Sequence, residues 1–196
     1  MTTAAKTWAA AAVLAVGLGL MALPAHADTT VAGVTFKDSA EVSGQTLKLN
    51  GAGLRTRFMV KVYAIGLYLP SPARDAAAVM KQDGPKRIVM VMKRNVSKST
   101  MGDAIREGFE RNSSANLGAL QARLDTLLQE LPDLKENDVI TITITPDKGT
   151  QFKSPKSEIG IPGKDFSDAL LGVWLGAKPA DADVKKALLQ GGQSGN

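Results

Sequence analysis

The chain has 196 residues, a hydrophobic fraction of 44%, a formal net charge of +5, no cysteine and a single histidine, His26. His26 lies in an N-terminal stretch that we expect to be removed, so the remaining chain lacks both side chains needed for histidine-based hydrolase triads, thiol chemistry and ordinary zinc or copper sites. No acidic cluster resembles a calcium-binding loop. The sequence therefore predicts no metal, no cofactor and no catalytic residue of these classes. Basic and acidic side chains alternate without a basic tract, which argues against a nucleic-acid partner.

The first 27 residues have the pattern of a bacterial export signal. Lys6 gives a positive start, residues 8–23 form an uncharged apolar run, and Ala25-His26-Ala27 is a small-residue cleavage site. We expect cleavage after Ala27 and a periplasmic or secreted protein. The alternative, a retained membrane anchor, is disfavoured because the apolar run is short for a membrane span. Residues 28–190 are then one domain, followed by a flexible tail over 191–196.

A long apolar segment, residues 49–70, is the most distinctive part of the domain. The glycines within Asn50–Gly53 predict a turn, after which Arg55 and Arg57 precede one long strand that ends at Pro70. Side chains alternate along a strand, so two apolar faces result and we expect both to be covered. One face carries Tyr63, Ile65, Leu67 and Leu69, and the other carries Val62, Ala64, Gly66 and Tyr68.

The rest of the domain alternates strand and helix patterns. Short strands are expected at Val31–Phe36 and Thr46–Leu49, an interior strand at Arg87–Met92, and a one-sided strand at Val139–Thr145 followed by a hairpin through Phe152 to Ile161. Helices are expected from the Ser71-Pro72 pair onward, at Ser97–Asn112, at Leu117–Leu131, at Lys164–Leu175 and at Ala182–Leu189. This order predicts an α+β fold with a mostly antiparallel sheet and clustered helices.

Three segments in this order resemble the chalcone isomerase-like family in its bacterial, exported branch: NGAGLR, the strand KVYAIGLYL, and GIPGKDFSDALLGVWLG near the C-terminus. The resemblance implies a curved antiparallel sheet covered by a layer of helices, with a cleft between them. In this family the plant enzymes close a chalcone into a flavanone with an arginine, a threonine and a tyrosine. Non-catalytic members bind fatty acids and hold the carboxylate with the equivalent arginine.

The resemblance assigns roles residue by residue. Arg55 matches the arginine of both groups, Tyr63 stands where the enzymes have their strand threonine, and Met101 where they have their catalytic tyrosine. Gly108 and Val173 replace an asparagine and a threonine. A pocket lined by Met, Gly and Val would suit an alkyl chain better than a ketone with ordered water.

The leading hypothesis is therefore a non-catalytic periplasmic binding protein for a fatty acid or a similar amphipathic anion. Arg55 would hold the carboxylate and Tyr63 would assist; Arg57, Tyr68, Met101 and Val173 are the further candidate ligand-binding residues. Tyr63 and Tyr68 lie on opposite faces of the strand, so only one of them is expected in the cleft. Two alternatives stay open: an isomerase or lyase for a chalcone-like enone, and a structural or interaction module without a cavity, in which Arg55 is a solvated or salt-bridged side chain.

Overall fold

The computed structural model describes residues 28–192, and the predicted signal peptide and residues 193–196 of the predicted tail lie outside them. Within this range the fold is α+β, as predicted. The strands are β1 (Thr29–Val31), β2 (Val34–Phe36), β3 (Ser39–Val42), β4 (Gln45–Arg57), β5 (Val60–Leu69), β6 (Lys86–Met92), β7 (Val139–Thr145), β8 (Gly149–Lys153) and β9 (Glu158–Ile161). The α-helices are α1 (Ala76–Lys81), α2 (Lys98–Ser113), α3 (Leu117–Glu130), α4 (Lys164–Leu175) and α5 (Ala182–Leu188).

Seven strands, β3 to β9, form one curled antiparallel sheet in which each strand pairs with the next one along the chain. β1 and β2 form a separate two-stranded hairpin. Because neighbours in the sheet are neighbours in sequence, short turns make most of the connections. Three longer segments carry the helices: α1 follows β5, α2 and α3 follow β6, and α4 and α5 follow β9.

The two faces of β5 belong to two different hydrophobic cores. Tyr63, Ile65, Leu67 and Leu69 pack into the main core between the sheet and the helices. Ala64 and Tyr68 pack into a smaller core on the opposite face, which includes Phe36 from the β1–β2 hairpin. A Cβ on Gly66 would lie 2.7 Å from the Phe36 ring, so this glycine allows the ring to cover the strand. The predicted covering of both faces of β5 is confirmed. The predicted placing of Val62 on the face of Ala64 and Tyr68 is wrong, because a bulge at Val62 breaks the alternation and the side chain packs against the main core.

The predicted turn at Asn50–Gly53 is wrong, because these residues lie inside β4. The chain reverses instead at Phe58-Met59, where β4 and β5 meet in a two-residue loop and Arg57 pairs with Val60. The predicted single long strand is therefore the second arm of a β-hairpin. Arg55 and Arg57 lie at the end of β4, next to the hairpin loop, rather than at the start of β5.

The glycines of this segment serve helix packing. Asn50 is the extra residue of a β-bulge in β4, and its side-chain amide donates to the carbonyl oxygens of Ala73 at 2.8 Å and Leu188 at 2.7 Å. A Cβ on Gly51 would lie 2.1 Å from the carbonyl oxygen of Ala187 in α5, and one on Gly53 would lie 2.8 Å from the Ala187 Cβ. The absence of side chains at both positions lets α5 lie directly on β4.

Three smaller predictions also need correction. The expected short strand Thr46–Leu49 is only the first part of β4, which runs to Arg57. The expected strand Val31–Phe36 is split by a turn at Ala32-Gly33 into β1 and β2, and β3 was missed. The first helix begins not at Ser71-Pro72 but after Asp75, whose side chain caps it by accepting a hydrogen bond from the Ala78 amide at 2.8 Å. The predicted strand at Val139–Thr145 and the predicted helix at Lys164–Leu175 match the structure residue for residue.

Candidate functional site: a cationic cavity at the β4–β5 hairpin

Arg55 and Tyr63 are brought together by the register of the β4–β5 hairpin. They lie directly opposite each other, and a bulge at Val62 interrupts the pairing on the loop side. Arg55 Nη1 donates to Tyr63 Oη at 3.2 Å, and its guanidinium carbon lies 5.6 Å from the centre of the Tyr63 ring. The structure thus places together the two residues that the sequence selected first. The position of the Arg55 guanidinium is thus set by a hydrogen bond to the Tyr63 hydroxyl and a cation–π contact with the Tyr63 ring.

The Tyr63 hydroxyl has a second donor, Trp174 of α4, whose Nε1 lies 2.9 Å from Tyr63 Oη. Tyr63 is only 2% exposed. With two N–H groups bonded to its oxygen, the phenol has its own O–H proton left to donate, and within residues 28–192 no acceptor is recorded for that proton. Trp174 was not among the site residues selected from the sequence. Its role as a partner of Tyr63 depends on a contact between residues 111 positions apart, which no local pattern reports.

A cavity of about 390 Å³ opens beside this pair, between the β4–β5 hairpin, the loop after β6 and the first turns of α2. This volume is within the range of about 300–1,000 Å³ typical of small-molecule sites. The lining side chains are Arg55, Arg57, Phe58, Val60, Val62, Tyr63, Arg94, Asn95, Val96, Ser97, Thr100, Met101 and Ala104. The set combines three arginines with a largely apolar wall and contains no carboxylate.

The three arginines have no acidic partner in the described part of the chain. Seven salt bridges occur within residues 28–192, and none involves Arg55, Arg57 or Arg94. Arg57 instead lies over the Phe58 ring, with its guanidinium carbon 5.4 Å from the ring centre. Positive charge in the cavity is therefore not neutralised internally, which makes the cavity attractive to an anion.

The other polar side chains of the cavity already have structural partners. Ser97 caps α2 by accepting from the Thr100 amide at 3.2 Å, and the two hydroxyl oxygens lie 2.9 Å apart. Asn95 Oδ1 accepts from the Glu136 amide at 3.0 Å. Hydrogen bonds directed at a ligand are therefore expected first from the arginines and Tyr63, and within this group the Asn95 amide nitrogen is the one that forms no hydrogen bond within residues 28–192. None of these three polar residues was selected from the sequence, although Ser97 was recognised as a helix start.

Two of the candidate binding residues do not line this cavity. Val173 is 2% exposed and packs between α4 and α2, where its methyl carbons lie 2.8 Å from the position that a Cβ on Gly108 would occupy. Tyr68 lies in the smaller core on the other face of the sheet, and burial raises the pKa of its hydroxyl to about 12. The expected wall of Met, Gly and Val therefore reduces to Met101, and the apolar surface comes instead from Val62, Val96 and Ala104.

Other kinds of site find no support in the described residues. No group of three or more acidic, histidine or cysteine side chains is arranged to hold a metal ion within residues 28–192. Over the same range, every helix is too short or too polar to span a lipid bilayer.

Fold and cavity together define an α+β protein whose antiparallel sheet and helices frame a cationic, largely apolar cavity. The family model described as chalcone isomerase-like matches residues 28–190, and the chain belongs to that family. Among solved structures, a fatty-acid-binding protein of Arabidopsis thaliana matches with a TM-score of 0.59 at 15% identity, over 82% of this chain and 93% of that one. At this identity the match shows a shared fold. No curated protein matches the chain.

Proposed function

We propose that this protein is a non-catalytic binding protein for a fatty acid or a similar amphipathic anion, exported to the periplasm by residues 1–27. The carboxylate would lie at Arg55 and Tyr63, and the alkyl chain along Val62, Val96 and Met101. The observation that carries the proposal is the pairing of Arg55 with Tyr63 at a cavity that contains no carboxylate of its own.

The chemistry of the pair fits a carboxylate. A guanidinium has several N–H donors in a planar fork. Arg55 donates one hydrogen bond to Tyr63, which leaves its other N–H groups for a ligand. The free phenolic proton of Tyr63 adds a neutral donor beside it. A cation next to apolar surface is costly without a counter-charge, so a bound carboxylate would relieve that cost while its chain covers the apolar wall.

The two alternatives fit these contacts less well. A module without a cavity requires a filled cleft and an Arg55 paired to an internal carboxylate, whereas the cleft is open and Arg55 has no such partner within residues 28–192. By the resemblance, an isomerase of the plant type would carry a catalytic tyrosine where this chain has Met101, which lines the cavity, and the hydroxyls of Ser97 and Thr100 are engaged in the helix cap. We expect no turnover of a chalcone panel above the uncatalysed rate.

The first experiment identifies what the protein carries. Protein purified from its own host is analysed by native mass spectrometry, and the lipids extracted from it are identified. We expect a bound long-chain carboxylate. Protein recovered with no ligand, and unable to take up palmitate added in vitro, would overturn the proposal.

The second experiment isolates the carboxylate contact. Binding of palmitate is compared with binding of 1-hexadecanol, which has the same chain length and no charge. Charge-assisted hydrogen bonds contribute about 1.5–3 kcal/mol, so we expect palmitate to bind about 10- to 150-fold more tightly. Arg55→Gln should abolish most of that preference, and Tyr63→Phe should reduce it. A preference that survives Arg55→Gln and disappears in Arg57→Gln would move the anchor to Arg57.

Arg111→Gln is the matched control for loss of one arginine. Arg111 is half-exposed, pairs with Glu107 one turn earlier in α2, and lies about 15 Å along the helix from Met101. This variant has the same change in net charge as Arg55→Gln and should bind both probes like the original protein. A similar loss of preference in Arg111→Gln would mean that overall charge, rather than a contact in the cavity, selects the anion.

A further inference from the structure

The loop of the β4–β5 hairpin exposes three consecutive apolar side chains. Phe58 is 87% exposed, Met59 is 97% exposed and Val60 is 44% exposed. In the described part of the chain, Val139 is the one other large hydrophobic residue with comparable exposure, at 45%. Single exposed hydrophobic residues are common on proteins, but a run at the tip of a protruding hairpin marks an interaction site more often.

The backbone of this loop is unfavourable for the residues that occupy it. Phe58 and Met59 both have positive φ angles, 48° and 64°, as expected for the two central residues of a type I′ turn. Asn and Gly are the residues that accept this geometry at little cost, whereas bulky side chains are strained there. The turn is thus poorly suited to stability, and an observed strain of this kind is a reason to look for a role of the two side chains outside the fold.

Positive charge surrounds the apolar tip. Arg57 precedes Phe58, Lys61 follows Val60, and Arg94 lines the same cavity as Arg57 and Phe58. None of these three side chains forms a salt bridge within residues 28–192. An apolar tip with a basic collar complements a surface that is negatively charged outside and apolar underneath, which describes a bilayer that contains anionic phospholipids.

We propose that the β4–β5 hairpin docks on anionic phospholipid bilayers, with Phe58 and Met59 inserted among the lipids and Arg57, Lys61 and Arg94 against the headgroups. A bilayer fits better than a protein partner, because a stable protein interface needs about 800 Å² from each partner and a tip of three consecutive apolar residues offers far less. A fluid bilayer accepts a small protrusion without a matching pocket.

Docking at this place would bring the cavity to the membrane. Phe58 and Val60 belong both to the tip and to the cavity wall that leads to Arg55. In this part the inference rests on the proposed function: a fatty acid could pass between the bilayer and the cavity along the hairpin without crossing water. The docking itself depends only on the tip and its charges.

Docking is tested by flotation with vesicles of phosphatidylethanolamine and phosphatidylglycerol, and with vesicles of phosphatidylcholine alone. All variants carry the same residues 1–27 or the same processed N-terminus, so that segment contributes equally to each. The original protein should float with the anionic vesicles. Phe58→Asn/Met59→Gly, which suits the turn, should lower the partition coefficient at least tenfold, and Val139→Asn, which removes an exposed apolar residue elsewhere, should leave it unchanged.

The charges and the insertion are tested separately. Arg57→Gln/Lys61→Gln should weaken binding to anionic vesicles, while Lys153→Gln, which removes an exposed lysine elsewhere, should not. A tryptophan placed at the tip by Phe58→Trp should be quenched by brominated lipids. Equal binding by the Phe58→Asn/Met59→Gly variant, or no quenching, would overturn the docking. A tip-dependent dimer in sedimentation without vesicle binding would assign the tip to a second copy of the chain.

The two proposals fail in different ways. If Met59→Gly, which changes the tip outside the cavity lining, weakens vesicle binding while the protein still prefers palmitate over 1-hexadecanol, both stand. If the original protein binds vesicles and shows no bound lipid and no preference, the docking stands and the proposed function fails. If palmitate is preferred and no vesicles are bound, only the docking fails.

Discussion

The strained hairpin loop makes an unusual prediction, because the variant expected to lose membrane binding should be more stable than the original protein. Phe58 and Met59 are 87% and 97% exposed, so replacing them sacrifices almost no buried apolar surface. Relief of two left-handed conformations is worth about 1–2 kcal/mol for each bulky residue, and Asn recovers only part of this.

Two costs oppose that gain. Glycine at the second position makes the unfolded chain more flexible, which costs about 0.5–1 kcal/mol. Loss of the exposed contact between Arg57 and the Phe58 ring costs about 0.5–1 kcal/mol. The net expectation for Phe58→Asn/Met59→Gly is an increase of about 1 kcal/mol in the free energy of unfolding, or about 2–4 °C in Tm for a domain of this size.

Thermal and urea denaturation of the lipid-free protein measure this difference. Ala32→Asn is a matched comparison, because Ala32 has a positive φ of 50° in the β1–β2 turn and no part in the cavity. It should give a small stabilisation without any effect on vesicle binding. A less stable Phe58→Asn/Met59→Gly variant would refute the reasoning, since it would mean that the two side chains stabilise the fold through contacts that the described residues do not show.

Two further predictions concern packing and pH. Gly51→Ala should destabilise the protein by about 1–3 kcal/mol or more in urea denaturation, because the added methyl group would force α5 away from β4, whereas Gly118→Ala, where nothing lies within 4 Å, should be neutral or stabilising. Arg123 lowers the pKa of the Asp165 carboxyl to about 2, below its unfolded value of about 3.9. The stabilisation by this pair is therefore complete above about pH 5 and lost as the pH falls through 2, so thermal denaturation should show a larger cost of Arg123→Gln at pH 6 than near pH 2, where only the contacts of Arg123 with the Pro162 and Ala119 carbonyl oxygens and the Phe166 ring remain.

Segments with a clean periodicity were predictable from the sequence. The alternation of aliphatic residues and threonine in Val139–Thr145 and the apolar pattern of Lys164–Leu175 each fixed an element to the residue. The opposite facing of Tyr63 and Tyr68 followed from strand alternation alone and is confirmed by their packing in separate cores. In these cases the information is local, because burial of one face dictates the spacing of apolar residues along the element.

The same reasoning failed at two places in the β4–β5 hairpin, namely at the glycines of β4 and at the loop. Gly51 and Gly53 carry a turn signal, but they are glycines because α5, more than 130 residues later in the chain, lies against them. Phe58-Met59 carries no turn signal, yet the chain reverses there. In both places the residue type is explained by a contact outside the segment. For the glycines the contact is with a distant helix, and for Phe58-Met59 it is, by our proposal, with a membrane.

Arg55 and Tyr63 were selected correctly from the sequence, but the structural reason for their contact was not predicted. The sequence placed Arg55 after a turn, at the start of a long strand, but the contact exists because the real turn lies between the two residues and sets them opposite each other. The hairpin loop thus determines both the geometry of the proposed carboxylate anchor and the position of the proposed membrane contact. A variant that shifts the register by inserting one residue into the loop should separate Arg55 from Tyr63 and abolish the preference for palmitate, whereas Met59→Gly, which keeps the register and lies outside the cavity lining, should retain it.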